Sequence, residues 1–318
     1  MTEPNVPAPD DSFFASPGRV DDWRKALLYD AAAEAGVLSA LPGPPEVLAQ
    51  HLGLDPRAVR MLLGALAVWD VVEVAPDGVY QAGTKMPDVD EEALIRHHGR
   101  AIRSWSLTID DRLRGAPVAP PQPAPGPNNA RWFGALAVLA RRWAPEVIDA
   151  CLARIPGART ALDLGGGHRE HALELAGRGL QVTMQDRPEV AELARADGRL
   201  AQAGVEVFAG DFFEVLPDRS FDLVLWLNVA HTYDRARNVE LYRRVRPLIA
   251  PGGALAVLAY IRGRDPRASI LAIQMLAGGG GDAHSAGDYA AWLAEAGFSS
   301  SEVQDLEGQP QSLVFAVP

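Results

Sequence analysis

The sequence predicts an α/β protein in which a doubly wound, Rossmann-like sheet follows a mostly helical N-terminal domain. From Thr160 onward, short β-rich runs alternate with helical ones, and the first half of the chain reads mainly as helices. Alternation with short connections is typical of a mostly parallel sheet with helices on both faces, which takes its ligand at the carboxyl ends of the strands. The β-rich runs, in order, are TALDL, LQVTMQ, VEVFA, FDLVLWL, GALAVLAY and QSLVFAVP.

The N-terminal domain is predicted to be winged-helix-like. Its third helix has a strong start signal, because Asp55 can cap it and Pro56 suits the first helical position. A hairpin then turns at Asp77 and Gly78, between two short β-rich runs. The predicted helices cover Asp22–Leu41, Pro44–Leu52 and the segment from Pro56 to about Trp69.

The third helix argues against DNA binding. A recognition helix presents polar and basic side chains to base edges, but after Arg57 and Arg60 this one is almost entirely apolar. We therefore expect its apolar face, from Met61 to Trp69, to be buried between two subunits of a homodimer. Phe13 and Phe14 in the N-terminal tail fit the same interface.

We expect four segments along the chain. Residues 1–18 form a disordered or strapping tail, and residues 19–88 form the winged-helix-like dimerisation domain. Residues 89–155 are linker helices that line a substrate site, interrupted by APVAPPQPAPGPNN, whose prolines predict a loop. Residues 156–318 form the cofactor-binding catalytic domain.

Composition narrows the possible partners. The 318 residues are 48% hydrophobic and carry a formal net charge of −11, which disfavours nucleic acid and anionic membrane surfaces. Cys151 is the single cysteine, so no intrachain disulfide can form. The N-terminus has no pattern of a secretory leader, and we expect a cytoplasmic protein that binds small molecules.

Acidic residues follow three successive predicted strands. LDLGGG places Asp163 before Gly165, Gly166 and Gly167, and glycines let a backbone turn tightly and approach a ligand. Asp186 ends the next run, about 20 residues after the glycines. This is the sequence spacing at which nucleotide-binding folds place a carboxylate that binds a ribose. After the third run come Asp211 and Phe212, which could bind and cover an adenine. A glycine-rich turn alone could be purely structural, but sheet interiors exclude carboxylates.

The chain resembles the class I S-adenosylmethionine (SAM)-dependent methyltransferases, and within them the bacterial small-molecule O-methyltransferases with an N-terminal winged-helix dimerisation domain. The resemblance covers the chain from about residue 19. It rests on the order and spacing of LDLGGG, QDRPEV, GDFFEVLP, LNVAHTYD and RVRPLIAPGGALAV. A dinucleotide-dependent oxidoreductase is disfavoured, because those enzymes seldom carry the GDFF and APGG segments.

The resemblance implies the cofactor residues. The methionine part of SAM would lie along the glycine loop, the ribose on the second strand end and the adenine on the third. Asn228 could orient substrate or cofactor, or could be a plain turn residue. The implied residues are Asp163, Gly165, Gly167, Arg169, Asp186, Arg187, Asp211, Phe212 and Asn228.

Arg169 departs from the family pattern, which has a small residue at this position. Its side chain could swing into solvent, could meet the carboxylate of SAM in a charge-assisted hydrogen bond, or could close the site to the cofactor.

The resemblance also implies that His231 is a general base toward a substrate hydroxyl. Tyr233 and Asp234 stand where the family has an aromatic and an acidic residue. Methyl transfer from a sulfonium is an in-line displacement that needs positioning, and a base of near-neutral pKa helps with a phenol or enol.

His284 leaves three roles open. It stands where O-methyltransferases more often carry an acidic residue that orients the base, so it could support His231. The pair of His231 and His284 also resembles the 2-oxo-acid C-methyltransferases, in which two histidines hold a divalent metal. It could also have no role. We expect His97, His98, His168 and His171 to be surface or pocket-wall residues.

The leading hypothesis is methylation of a hydroxyl on a small, aromatic, secondary-metabolite-like acceptor. The alternatives are metal-assisted C-methylation of a 2-oxo acid, a methyltransferase fold that catalyses a cyclisation or rearrangement without methyl transfer, and a ligand-sensing regulator. An aromatic wall for the acceptor, or ordinary core, could be formed by Trp105, Trp132, Phe133 and Trp143.

Overall fold

The computed structural model describes residues 17–116, 127–278 and 280–318. The chain divides into two compact units, with the division between Ser106 and Leu107, and each unit is described by itself. The tail with Phe13 and Phe14, and residues 117–126 of the proline-rich segment, lie outside the described residues.

The first unit has the predicted order of three helices and a hairpin. Asp55 caps the third helix by accepting a hydrogen bond from the backbone N–H of Ala58 at 2.7 Å, and Pro56 occupies the first helical position. The elements are α1 (Pro17–Glu34), α2 (Pro45–Leu52), α3 (Pro56–Val68), β1 (Val72–Val74) and β2 (Tyr80–Ala82), the two strands pairing antiparallel.

The apolar residues of α3 have two destinations. Val59, Leu63 and Leu66 are buried in the core of the first unit itself. Met61 and Val68 are 64% and 78% exposed. The prediction that the whole apolar helix serves a subunit interface was therefore too broad, because Val59, Leu63 and Leu66 pack within their own unit.

Two long helices follow the hairpin, α4 (Val89–Leu113) and α5 (Pro127–Arg154). The predicted loop APVAPPQPAPGPNN extended to Asn129, and this end of it is wrong, because the chain is already helical from Pro127. Proline fits the first helical position, where its missing N–H costs no intrahelical hydrogen bond.

Within the described residues, seven strands of the second unit form one sheet in the order β5-β4-β3-β6-β7-β9-β8. The first five strands of that order pair in parallel, and β9 and β8 are antiparallel. The strands are β3 (Thr160–Leu164), β4 (Gln181–Asp186), β5 (Glu206–Ala209), β6 (Phe221–Leu227), β7 (Ile249–Ala259), β8 (Ser300–Asp305) and β9 (Ser312–Val317).

Helices connect these strands. Those of the second unit after α5 are α6 (Glu170–Gly177), α7 (Pro188–Ala196), α8 (Gly198–Gln202), α9 (Arg235–Val245), α10 (Arg267–Gly278) and α11 (Ala286–Glu295), with short 3₁₀ helices at Ala230–Thr232 and Arg246–Leu248. None of the helices in the described ranges is long and apolar enough to cross a membrane.

Two hydrophobic clusters pack in the second unit, and neighbouring residues of β6 alternate between them. Val224 and Trp226 belong to one cluster, and Leu223 and Leu225 to the other. A sheet covered on both faces explains why the central strands are continuous apolar runs in the sequence. The predicted fold class is confirmed. The strand β8 was missed, because SSEVQD is polar and four of its six residues are exposed at the sheet edge.

Candidate active site

The loop after β3 begins beside a buried carboxylate. Asp163 lies in β3 between the parallel neighbours β4 and β6 and is 1% exposed. Gly165 follows in the left-handed conformation, with φ +70°. A Cβ on Gly166 would lie 2.6 Å from Oδ2 of Asp163, so the backbone passes directly over this carboxylate. Only glycine permits that approach.

Asp186 ends β4 next to the same loop. Its carboxylate accepts hydrogen bonds from the backbone N–H of Arg187, at 2.8 Å, and from the backbone of Gly167. Burial raises the pKa of Asp186 to about 6. Burial, helped by the negative charge of Asp186, raises the pKa of Asp163 to about 7. Oδ2 of Asp163 is buried and accepts no hydrogen bond from any residue that the structure describes.

The third strand end carries Asp211 and Phe212. Asp211 accepts a hydrogen bond from the backbone N–H of Phe213 at 2.8 Å, which closes the turn after β5. The ring of Phe212 packs edge-on against Trp226, with 4.9 Å between centroids, and is 5% exposed. The structure therefore places the Phe212 ring in the core and leaves the half-buried Asp211 at the sheet edge.

Arg169 is not at the surface. It lies in the left-handed conformation, with φ +73°, and its side chain is 14% exposed. Its Nε forms an ion pair with Oδ2 of Asp197 at 3.0 Å. The expectation that the side chain swings into solvent is wrong, because an acidic partner 28 positions later in the chain holds it.

His231 follows β6, at the same edge of the sheet. Asn228 makes the turn with φ +57°, a conformation that asparagine tolerates better than most residues, and His231 lies in the 3₁₀ helix after it. The backbone carbonyl of His231 accepts a hydrogen bond from the N–H of Asp282 at 3.0 Å. A Cβ on Gly281 would lie 2.0 Å from that same carbonyl oxygen, so the loop before α11 packs tightly on His231.

His284 belongs to that loop and is close enough to His231 to affect its pKa. His284 forms a hydrogen bond with the backbone of Tyr233, and its ring packs edge-on against Trp292 at 4.6 Å. Burial, helped by the nearby His284, lowers the pKa of His231 to about 4. His231 is therefore a neutral base at physiological pH.

A buried tyrosine lies beside His284, and the sequence analysis did not predict it as a site residue. Tyr289 of α11 is fully buried, with its ring 6.0 Å from that of His284. Nδ1 of His231, Nε2 of His284 and the Tyr289 hydroxyl are all buried without a hydrogen-bond partner in the described ranges. The available signal was a hydroxyl-bearing aromatic on the inward face of the helix after His284.

The other histidines divide between the two units. On α4, His97 is half-buried and His98 is exposed. His168 and His171 pack edge-on at 4.8 Å beside the glycine loop. His171 is 2% exposed, so a surface position is excluded for it. Burial lowers the pKa of both, that of His168 to about 4.

An aromatic side chain of α5 lies against the glycine loop. A Cβ on Gly167 would lie 2.2 Å from the ring of Phe133. Trp132 is 40% exposed beside it, and Trp143 is half-buried. In the part of the chain that the structure describes, no group of three or more His, Cys, Asp or Glu side chains could hold a metal ion.

Comparison with known proteins decides the family. Residues 144–299 match the family model of the O-methyltransferase domain. The chain belongs to the SAM-dependent O-methyltransferases. The predicted family and its cofactor are thereby confirmed, and the protein is an enzyme that methylates a hydroxyl of a small acceptor.

Two of the relatives described here match this O-methyltransferase over nearly its whole length. It is 29% identical to acetylserotonin O-methyltransferase of Mus musculus molossinus over 325 aligned positions, covering 91% of this chain and 82% of that one. It is 36% identical to mitomycin biosynthesis 6-O-methyltransferase of Streptomyces lavendulae over 147 positions, covering 44% and 42%. In fold it is similar to human N-acetylserotonin methyltransferase in complex with SAM, with a TM-score of 0.75 at 19% identity over 98% of this chain and 99% of that one.

Proposed function

We propose that this enzyme transfers the methyl group of SAM to a hydroxyl of a small aromatic acceptor, with His231 as the general base. The observation that carries the proposal is a neutral, buried imidazole fixed at the end of β6. The Asp282 N–H bonds the backbone of His231 at 3.0 Å, and burial lowers the pKa of its side chain. A general base must be both unprotonated and held in place, and His231 meets both conditions.

The residues at the ends of β3 and β4 suit SAM. When bound, SAM supplies an electrophilic methyl group on a positively charged sulfur. Asp163 offers a buried oxygen that no described residue hydrogen-bonds, and the backbone over it carries no Cβ. Asp186 would accept from the ribose hydroxyls. We propose Asp163, Gly165 and Gly167 for the methionine part, Asp186 and Arg187 for the ribose, and Asp211, the Phe212 segment and Asn228 for the rest of the cofactor site.

The chemistry needs one proton acceptor. Bound SAM would supply the methyl carbon and keep the electron pair of its carbon–sulfur bond on sulfur, and the acceptor oxygen would lose its proton as it gains the methyl group. We propose that the hydroxyl proton passes to Nε2 of His231, because Nδ1 is buried and out of reach of an acceptor hydroxyl. The protein contributes chiefly the alignment of the three atoms, which can supply several orders of magnitude of rate.

We propose that His284 positions His231. The loop that carries His284 packs on the His231 backbone, and the two rings are close enough for His284 to lower the pKa of His231. Within the described residues, Nδ1 of His231, Nε2 of His284 and the Tyr289 hydroxyl are buried without a hydrogen-bond partner, and we propose that a buried water molecule satisfies them. A neutral partner of this kind would fix the ring of the base without stabilising its protonated form.

The aromatic class of the acceptor rests on α5. Phe133 lies on the glycine loop, and Trp132 next to it is partly exposed. Offset or edge-on stacking on such rings would orient a planar acceptor. Acetylserotonin, mitomycin and flavonoids are named for relatives of this chain, and an aromatic or quinone-like hydroxyl compound is the corresponding class here.

We propose that the enzyme is a cytoplasmic homodimer. Three apolar side chains of the first unit, Val47, Met61 and Val68, are between 57% and 78% exposed. A second copy covering them would form an obligate interface on the order of 2,000 Å² or more. Light scattering at micromolar concentration should give twice the chain mass, and a monomer would contradict the proposal. The single, buried Cys151 is consistent with a reducing compartment.

The test of the activity is methyl transfer itself. Purified enzyme is incubated with methyl-labelled SAM and a panel of phenols, hydroxyquinones and 2-oxo acids, and the products are identified by mass spectrometry. We expect labelled methyl ethers from aromatic hydroxyls and no stoichiometric metal by elemental analysis. Products methylated on carbon, from 2-oxo acids and together with stoichiometric iron or zinc, would overturn the assignment of His231 as a base.

A further inference from the structure

Arg169 holds a backbone conformation that its side chain does not favour. It lies at φ +73° and ψ −15°, directly before the first residue of α6. Residues other than glycine rarely adopt this region, so an arginine there must be held by its surroundings. A retained strained position next to a ligand-binding loop is a reason to look for a role.

The surroundings are a chain of alternating charges. Nε of Arg169 is 3.0 Å from Oδ2 of Asp197, the same oxygen is 2.7 Å from a guanidinium nitrogen of Arg199, and that nitrogen is 3.1 Å from Oε1 of Glu170. The carboxylates are well shielded from water, with Glu170 6% and Asp197 20% exposed. We call Arg169, Glu170, Asp197 and Arg199 the charge clamp. Partly buried pairs in a network are screened less by salt than single surface pairs.

The charge clamp joins the glycine loop to a second helix. Glu170 begins α6, and Asp197 caps α8 by accepting a hydrogen bond from the Arg199 N–H at 3.3 Å. The start of α6 therefore cannot move without breaking contacts at the start of α8.

The charge clamp also reaches the proposed ribose site. A guanidinium nitrogen of Arg169 donates to the carbonyl of Gly167 at 3.4 Å. The backbone of Gly167 in turn forms a hydrogen bond with the carboxylate of Asp186. Gly167 therefore links the charge clamp to Asp186, the carboxylate that we propose for the ribose.

We propose that Arg169 is a positioning residue, which through Asp197 holds the glycine loop in the shape that binds SAM, and that it does not contact the carboxylate of SAM. The guanidinium is largely buried, forms an ion pair with Asp197 at 3.0 Å and donates to the Gly167 carbonyl at 3.4 Å, while its Nε donates no hydrogen bond to any described residue. The charge clamp thus replaces the conformational freedom of a glycine with fixed charges. This inference rests on the proposed cofactor site.

The experiment compares two probes by calorimetry. S-adenosylhomocysteine carries the amino-acid carboxylate, and 5′-methylthioadenosine lacks it. If Arg169 acts through the loop, Arg169→Ala weakens both probes by a similar factor, about tenfold or more. If Arg169 bonds the carboxylate directly, S-adenosylhomocysteine alone weakens, and the proposal is overturned.

Further variants separate backbone strain from loss of charge. Arg169→Gly should bind both probes more tightly than Arg169→Ala, because glycine adopts the left-handed conformation freely. Asp197→Asn should weaken both probes as well, and adding it to Arg169→Ala should cost little more, since both changes break one network. Equal affinities of Asp197→Asn and the wild type would contradict the charge clamp.

The matched control lies at the other end of α6. Arg178, which caps the end of that helix, forms an ion pair with Asp149 of α5. Asp149→Asn should leave the affinity for both probes unchanged. A charge clamp with only a structural role would lower the melting temperature of Asp197→Asn without raising its KM for SAM, whereas we expect KM to rise at near-constant kcat. A wild type that binds neither probe would refute the cofactor site itself, which distinguishes that failure from failure of the charge clamp.

Discussion

The carboxylates at the ends of β3 and β4 and the histidine after β6 lie at the same edge of one sheet and are buried to a similar degree. Asp163, Asp186 and His231 are 1%, 7% and 8% exposed. Their pKa values nevertheless move in opposite directions, to about 7 and about 6 for the two aspartates and to about 4 for the histidine. Burial disfavours whichever form is charged, so it protonates the acids and deprotonates the base.

The aspartates of the cofactor site and the histidine base therefore respond differently to pH. In the cofactor-free protein the aspartates titrate close to neutrality, and a positively charged ligand would favour their ionised forms. His231 stays neutral down to about pH 4, so its protonation state does not change across the physiological range. Cofactor binding should therefore depend on pH near neutrality, and the base should not.

The largest expected effect is the loss of turnover when the proposed base is removed. His231→Ala should lower kcat by about 10²–10⁴-fold, because the hydroxyl proton loses its acceptor. The affinity for S-adenosylhomocysteine, measured by calorimetry, should be unchanged. A variant with full turnover would place the base elsewhere.

The second-largest loss of kcat is expected from a change in the loop before α11, which packs on His231. Gly281→Ala would put a Cβ 2.0 Å from the His231 carbonyl oxygen, so the two segments must separate. A displacement on the order of 1 Å can cost about 10²-fold in rate, and we expect a kcat loss of that size. Gly263→Ala is the control, since Gly263 also has a positive φ, of +87°, but no atom within 4 Å of the added Cβ. Equal losses in both variants would assign the effect to backbone strain alone.

On the cofactor side, Asp186→Ala should weaken SAM binding with little effect on kcat at saturating SAM. Each lost hydrogen bond to a charged group contributes about 1.5–3 kcal/mol before compensation. Calorimetry measures the change directly. Unchanged affinity would remove Asp186 from the cofactor site.

His284→Ala should be milder than His231→Ala. A residue that orients a reacting group typically contributes about 10- to 100-fold, and the variant should lower kcat within that range without loss of bound metal. Joint loss of activity and of stoichiometric metal in both histidine variants would instead indicate a metal centre.

Much of this edge could be predicted because strand ends are local signals. Asp163, Asp186 and His231 each follow an apolar run, and parallel strands bring their carboxyl ends to one edge whatever the rest of the fold. The position of Arg169 could not be predicted, because its partner Asp197 stands on a different helix, and ion pairing depends on how α6 and α8 pack.

The direction in which a side chain points was the second feature that the sequence could not predict. The sequence predicts Phe212 at the third strand end, but packing against Trp226 decides where its ring points. The same holds for Tyr289, whose burial beside His284 depends on how α11 rests on the sheet. Sequence periodicity assigns residues to faces and ends of elements, and contacts between elements require the fold.

The most direct test of the account measures protons released when SAM binds. Calorimetry at pH 6.5 in two buffers of different ionisation enthalpy gives that number for the wild type and for Asp163→Asn. Because folding raises the pKa of Asp163, ionised Asp163 destabilises the free protein as pH rises from about 4 to 7, and the cationic cofactor favours that ionised form. Relative to Asp163→Asn, the wild type should release about half a proton or more. Equal proton release by the two proteins would contradict the claim that the buried carboxylate beside the glycine loop holds the cofactor.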